Sequence, residues 1–290
     1  MDTRVAVAQM DCVLGDVSAN LERIERLTRV AHADGAQLVI LPECATTGYF
    51  VGERVRELAT PADGPVVERL AGLADGLGIH LAVGIIEAAG EDVHDCLALF
   101  APRAGLVAMY RKVHLFAGER ATFRPGDTPC LVDTAIGRLG LTVCYDLMFP
   151  EYIRGLVLGG AELIVNGTDW ITDPWQVGMG WTGESVRALA RIRALENGVH
   201  VAMAARVGEE AGFTSVGHST IAGPTGAILA TLDGGEGVGV AQVTDPTPDL
   251  DRWRSYASYL VDRRPGLYAR MTTSSDGEPP NDSPVQPATR

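Results

Sequence analysis

One rhythm constrains this chain more than any other feature: short apolar runs, too continuous to be half-exposed strands, alternate with helical patterns. "RVAVAQM" reads as a strand, and "DVSANLERIERLTRVAHADG" then sets Val17, Leu21, Ile24, Leu27 and Ala31 on one helical stripe. Asp16 or Ser18 can cap that helix and Gly35 can end it. "QLVILPE" lacks polar alternation, which suits a strand covered on both faces. A helix expected over about residues 65–77 leads to the strand "HLAVGIIE". "DVHDCLALFAP" and "GLVAMYRK" read as two strands turning near Pro102–Gly105. "GRLGLTVCYD" is a strand, a helix follows from Pro150, and "AELIVNG" is a strand again. "WTGESVRALARIRALENG" is a helix stopped by Gly198, and "VHVAMAARVG", "GHSTIAGPTG", "AILATL" and "GVGVAQV" continue as strands and turns. Crossovers mixed with hairpins predict a layered α/β protein built on a mixed sheet.

With 290 residues, 46% of them hydrophobic, the chain can bury a sizeable core. No linker or repeat interrupts residues 1–245, so a single domain is expected over 1–270. The proline-rich polar stretch 271–290 reads as a disordered tail. A net charge of −13 argues against nucleic acid or an anionic membrane as partner. No apolar run reaches the ~18–20 residues of a membrane span. The start, "MDTRVAVAQMD", is not a secretory signal. Five widely spaced cysteines and no C-x-x-C pair suit a reducing cytoplasm rather than a disulfide framework. The six histidines lack zinc-site spacing, so no metal is expected.

Three reactive residues fall just past the carboxyl ends of expected strands: Glu43 after "LVILP", Lys112 after "LVAMYR" and Cys144 after "LGLTV". Ligands of α/β sheets bind in the crevice outside those ends. A thiol there needs help, because at neutral pH it is mostly protonated. A carboxylate can take its proton. An ammonium can stabilise both the thiolate and the oxyanion that forms when a C=O carbon is attacked. The helix opening at Pro150 would add a positive dipole end. Such parts suit covalent hydrolysis through a thioester.

"LPE" with "TGY", "YRKVHLF" with "PGD", "CYD" with "FPE", and the closing "SYLVDRRPGLY", in that order from about residue 3 to 269, resemble the carbon–nitrogen hydrolase (nitrilase) superfamily. The resemblance implies a four-layer αββα sandwich, no metal or organic cofactor, and homo-oligomers. It assigns Glu43 as general base, Lys112 as oxyanion stabiliser and Cys144 as nucleophile. It also offers Glu119, seven residues after Lys112, as a second glutamate positioning the lysine; the bland alternative is a surface pair with Arg120 or Arg124. "CYD" resembles the amidase and carbamoylase branches, so hydrolysis of a linear amide or N-carbamoyl compound, releasing ammonia, is the first expectation. A nitrilase, a catalytically silent binding protein, and a glutaminase feeding a separate synthetase are the alternatives.

Around the nucleophile, the backbone N–H of Tyr145 is a candidate second oxyanion donor, Asp146 a turn cap and His114 a structural residue. Cys44 is expected to point away from Glu43, as in an extended segment. "NGTDWITDPW" is expected to be a substrate-side loop, with Asp169 and Trp170 as binding residues. Asp173 could also serve a diamine, Trp175 and Trp181 complete a tryptophan cluster, and Arg187, Arg191 or Arg193 could hold a substrate carboxylate.

Overall fold

The structure, a computed structural model, describes residues 1–244 and 248–272. The first half runs β1 (Asp2–Asp11), α1 (Val17–Ala33), β2 (Leu38–Ile40), α2 (Val55–Leu58), α3 (Pro65–Leu77), β3 (His80–Ala89), β4 (Asp92–Ala101) and β5 (Gly105–Arg111). Next come β6 (Cys130–Thr134), β7 (Gly137–Val143), α4 (Pro150–Leu158), β8 (Leu163–Thr168), β9 (Ile171–Thr172), α5 (Pro174–Gly178) and α6 (Gly183–Asn197). The chain continues through β10 (His200–Glu210), β11 (Phe213–Val216), β12 (Thr220–Ala222), β13 (Ile228–Thr231), β14 (Gly237–Thr244), α7 (Pro248–Tyr256) and α8 (Pro265–Thr272). The first two residues of the expected tail thus close α8; residues 273–290 lie outside the described residues.

The strands form two mixed sheets. One runs β5-β4-β3-β2-β1-β14, parallel from β1 through β3 and antiparallel elsewhere. The other centres on β7, β8 and β10, which are parallel, with β6 and β12 antiparallel at its flanks. β1 joins them by pairing Met10 with Arg206 and Asp11 with Val207 of β10.

Strand alternation decides what each face covers. Val5, Val7, Leu38, Ile40, Leu97 and Leu99 of the first sheet share one core with Leu139, Leu141, Leu163, Val165, Val201 and Met203 of the second. The intervening Ala6, Ala8, Val39, Leu41, Val83 and Phe100 pack instead under Leu21, Ile24, Leu27 and Ala31 of α1 and Val67, Leu70 and Ala74 of α3. On the far side, Ile153 and Leu156 of α4 and Val186 and Ala190 of α6 complete the core of the second sheet. The layers are therefore helix, sheet, sheet, helix, the expected αββα sandwich. Burying each large aliphatic side chain contributes on the order of 2 kcal/mol. Asp16, rather than Ser18, caps α1 by accepting from Ala19 N at 3.0 Å.

Candidate active site

Each of the three expected residues lies just past the carboxyl end of a strand, β2 and β7 inside their sheets and β5 at an edge. Lys112 directly follows β5, where alternation sends Arg111 out to Glu87 (2.7 Å) and Lys112 inward. Glu43 follows β2 on a segment pressed against β3. A Cβ at Gly84 would sit 2.1 Å from Pro42 O and 2.6 Å from Glu43 Cα, so only glycine lets the two backbones approach this closely. Cys144 follows β7 with a φ of 42°, the left-handed region that L-residues avoid. It opens a 3₁₀ turn, Cys144–Met148, so the helix at Pro150 begins only after that turn rather than at the sulfur.

The turn is pinned from below. Asp146 Oδ2 accepts from Val143 N (2.8 Å) and Tyr110 OH (2.7 Å), and its Oδ1 bonds His114 N (3.1 Å) and Nδ1 (2.8 Å). Asp146 thus does more than cap: with the structural His114 it fixes the conformation that exposes the sulfur. Arg193 holds the other side by donating to Leu147 O (2.6 Å).

Lys112 Nζ is enclosed by carboxylates: Glu43 Oε1 at 2.6 Å, Glu119 Oε1 at 2.7 Å and Asp95 Oδ2 at 3.3 Å, all essentially inaccessible to water. The surface alternative for Glu119 therefore falls; Arg124 pairs with Asp92 instead. Glu119 also accepts from Tyr49 OH (2.5 Å) and Phe116 N (2.8 Å). Glu43, Asp95 and Glu119 are close enough to hold a metal ion, but the lysine ammonium already supplies the cation at their centre. Cys44 is not extended as expected: it has φ 47°, and its thiol faces Asp95 Oδ1 at 3.7 Å.

The backbone of Asp169 links sulfur to carboxylate, its N–H donating to Glu43 Oε2 (2.8 Å) and its C=O facing Cys144 Sγ at 3.7 Å. Its side chain is engaged elsewhere, paired with buried Arg206 (3.0 Å), which also binds Glu210. Glu210 in turn accepts from Tyr49 N (2.8 Å) and Phe50 N, tying the "TGY" segment to this network.

Charge balance sets the protonation states. Burial pushes the Glu43, Asp95 and Glu119 carboxyls up against the pull of Lys112. The three acids, outweighing its own burial, hold the lysine well above its usual range. Burial, then Glu43, pushes the Cys144 thiol up, with Lys112 pulling the other way. Burial thus favours the protonated sulfur, which leaves the base with a proton to take before attack.

A cavity of ≈ 200 Å³ opens on the sulfur, lined by Tyr49, Phe116, Cys144, Tyr145, Met148, Asp169, Trp170, Ile171, Gln176 and Trp181. Trp170 and Trp181 meet edge to face, their centroids 5.6 Å apart, whereas Trp175 is 65% exposed and belongs to no cluster with them. Asp173 caps α5. Arg187 pairs with Glu184 and Asp233, Arg191 with Gly226 O, and Arg193 with the turn and Glu196, so none of these candidates reaches into the cavity. Larger clefts, up to ≈ 920 Å³, lie beside α4, α6 and the C-terminal helices and contain none of the reactive trio.

Sequence reasoning missed Asp95, Tyr49, Phe116 and Arg206. The signal for two of them was present: an aspartate inside "VHDCLALF" and an arginine inside "VHVAMAARVG" are charges in runs otherwise made for burial.

A layered α/β sandwich with a buried Glu–Lys–Cys constellation at its strand ends defines a cysteine-dependent hydrolase class. The carbon-nitrogen hydrolase family model matches residues 4–256, and the chain belongs to that family of hydrolases. It is 34% identical to a nitrilase of Pyrococcus abyssi, over 92% of this chain and 99% of that protein. It is 32% identical to an N-carbamoylputrescine amidase of Solanum lycopersicum, over 95% and 96%. An amidase from Nesterenkonia sp. superimposes with a TM-score of 0.79 at 30% identity, over 93% of this chain and 96% of that one. Among the described residues, no helix is long and apolar enough to cross a membrane.

Proposed function

We propose that this chain hydrolyses short, uncharged linear amides to the carboxylic acid and ammonia through a thioester on Cys144. The observation that carries the reading is the joint seating of Glu43 and Cys144 on the Asp169 backbone, beside Lys112, at the edge of a small apolar cavity.

Glu43 accepts the thiol proton as sulfur attacks the amide carbon, which overcomes the raised proton affinity of the buried thiol. The oxyanion is stabilised by the Lys112 ammonium and the Tyr145 N–H. Glu43 returns the proton to the leaving nitrogen, C–N cleaves and ammonia departs. Glu43 then deprotonates a water that attacks the thioester, and the acid leaves as Cys144 regains its proton. Glu119 keeps the ammonium in place, bonded at 2.7 Å. In support of a nucleophilic cysteine, a glutamate-to-leucine mutant of the Nesterenkonia amidase carries the acetamide moiety of fluoroacetamide on its active-site cysteine.

The cavity favours uncharged substrates over the charged ones of the other branches. A carbamoyl diamine brings an ammonium, yet Asp169 is committed to Arg206 and Asp173 to a helix cap. An ω-amide brings a carboxylate, yet Arg187, Arg191 and Arg193 are engaged outside the cavity. Aromatic walls suit an uncharged acyl group. An ammonia-release screen over short amides, carbamoyl amines, ω-amides and nitriles tests this, with Cys144→Ala as control. Turnover of neutral amides lost in the variant supports the reading; preference for a charged substrate, or activity surviving in Cys144→Ala, overturns it.

A further inference from the structure

We propose that Asp95 is a positioning residue that carries the site's resting carboxyl proton, so that the buried cluster holds one cation and two anions rather than three. The argument is a count of donors. Glu119 receives Lys112 Nζ, Tyr49 OH and Phe116 N. Glu43 receives Lys112 Nζ and Asp169 N. Each donor stabilises the ionised form. Asp95 is as deeply buried (1% exposed), yet its Oδ1 faces only the weak Cys44 thiol donor, its Oδ2 has the ammonium only at a long 3.3 Å, and its remaining neighbour is the Glu43 carboxyl, with which it shares a hydrogen bond. Two buried carboxyls that share a hydrogen bond need a proton between them, and the one with the fewest and weakest donors is the costlier to ionise. The groups facing Asp95 are Glu43 and Cys44 from the segment after β2, Lys112 after β5, Glu119 from its 3₁₀ turn, and Cys96 on its own strand. Burial pushes Asp95 up just as it does Glu43 and Glu119, so the count of donors is what separates the three.

Neutral Asp95 leaves the ammonium to the two glutamates. When it ionises at alkaline pH, a third negative charge competes for Lys112 and opposes the developing oxyanion. Activity then falls with a limb that belongs to Asp95.

Two measurements test this, and the first needs no substrate. Infrared spectra of the resting protein at neutral pH are expected to contain a carboxylic-acid C=O band that persists in Glu43→Gln and Glu119→Gln and disappears in Asp95→Asn. A band that survives in Asp95→Asn, or no such band in the wild type, overturns the proposal. The second measurement rests on the amidase reading and compares kcat/KM profiles on the best amide of the screen. Asp95→Ala is expected to lose about tenfold, the scale of one buried hydrogen bond. Asp95→Asn is expected to recover most of that loss and to move the alkaline limb upward. An Asn variant as impaired as Ala, or an unmoved limb, overturns it. A wild type that turns over no amide defeats the functional reading and leaves the infrared result to decide Asp95.

Discussion

Replacing Lys112 with methionine keeps the unbranched stem of the side chain, one atom shorter, and removes its charge, which isolates what the ammonium does. The ammonium contacts Glu43 at 2.6 Å, Glu119 at 2.7 Å and Asp95 at 3.3 Å, and none of these groups reaches water. Removing one partner of a buried ion pair typically costs about 3–5 kcal/mol, because the other charge is stranded. The carboxyls can escape by binding protons, so the cost depends on pH. Without the lysine their folded pKa values lie further above the unfolded ones; the folded state then binds more protons, and stability falls as pH rises above the ordinary carboxylate range. Thermal unfolding of Lys112→Met is expected to be closest to wild type near about pH 5 and lower by roughly 10 °C near about pH 8, at a few degrees per kcal/mol for a domain of this size. Turnover should fall by at least the ~10²–10³ that a lost oxyanion donor costs, since protonated Glu43 also ceases to be a base. A variant whose melting temperature tracks wild type across pH, or that loses only in KM, would refute the claim that this ammonium charges the base and stabilises the oxyanion.

Two further outcomes are expected. Gly84→Ala forces its Cβ into the backbone that carries Glu43, since the nearest atom would lie 2.1 Å away; kcat should drop about tenfold or more, the sensitivity expected of a misplaced catalytic group, and a kcat equal to wild type in a folded protein would count against the close-approach argument. The pH profile of kcat/KM should have an acid limb above the ordinary carboxylate range, because burial pushes Glu43 up and a base is lost as pH falls through its pKa; a limb at or below that range would contradict it.

A layered α/β fold on a mixed sheet was legible because strands such as "QLVILPE" and "GRLGLTV" lack polar alternation while α1 carries an apolar stripe; the αββα order itself was implied only by the family resemblance. The reactive trio was legible because each member lies just past the end of an expected strand, and the order of the motifs tied the three together. What remained hidden is tertiary. The count of charges around Lys112 depends on β4 lying beside β5, which places Asp95 of one strand against the residue that follows the other. Asp169 read as a substrate-binding acid, and only the fold commits it to Arg206; Glu119 was tied to Lys112 by the resemblance alone, with a surface pair as its alternative, until the fold buried it against the ammonium. The left-handed conformations of Cys44 and Cys144 are likewise imposed by contacts: nothing in "ECAT" or "VCYD" marks a positive φ.

The most direct test is to acid-quench the enzyme during turnover of a short amide and map the acyl group by peptide mass spectrometry. The account predicts one acyl adduct, on the peptide bearing Cys144, that forms with release of one ammonia and disappears when substrate is exhausted. Steady ammonia release with no adduct on that peptide, or with the adduct on another cysteine, would contradict it.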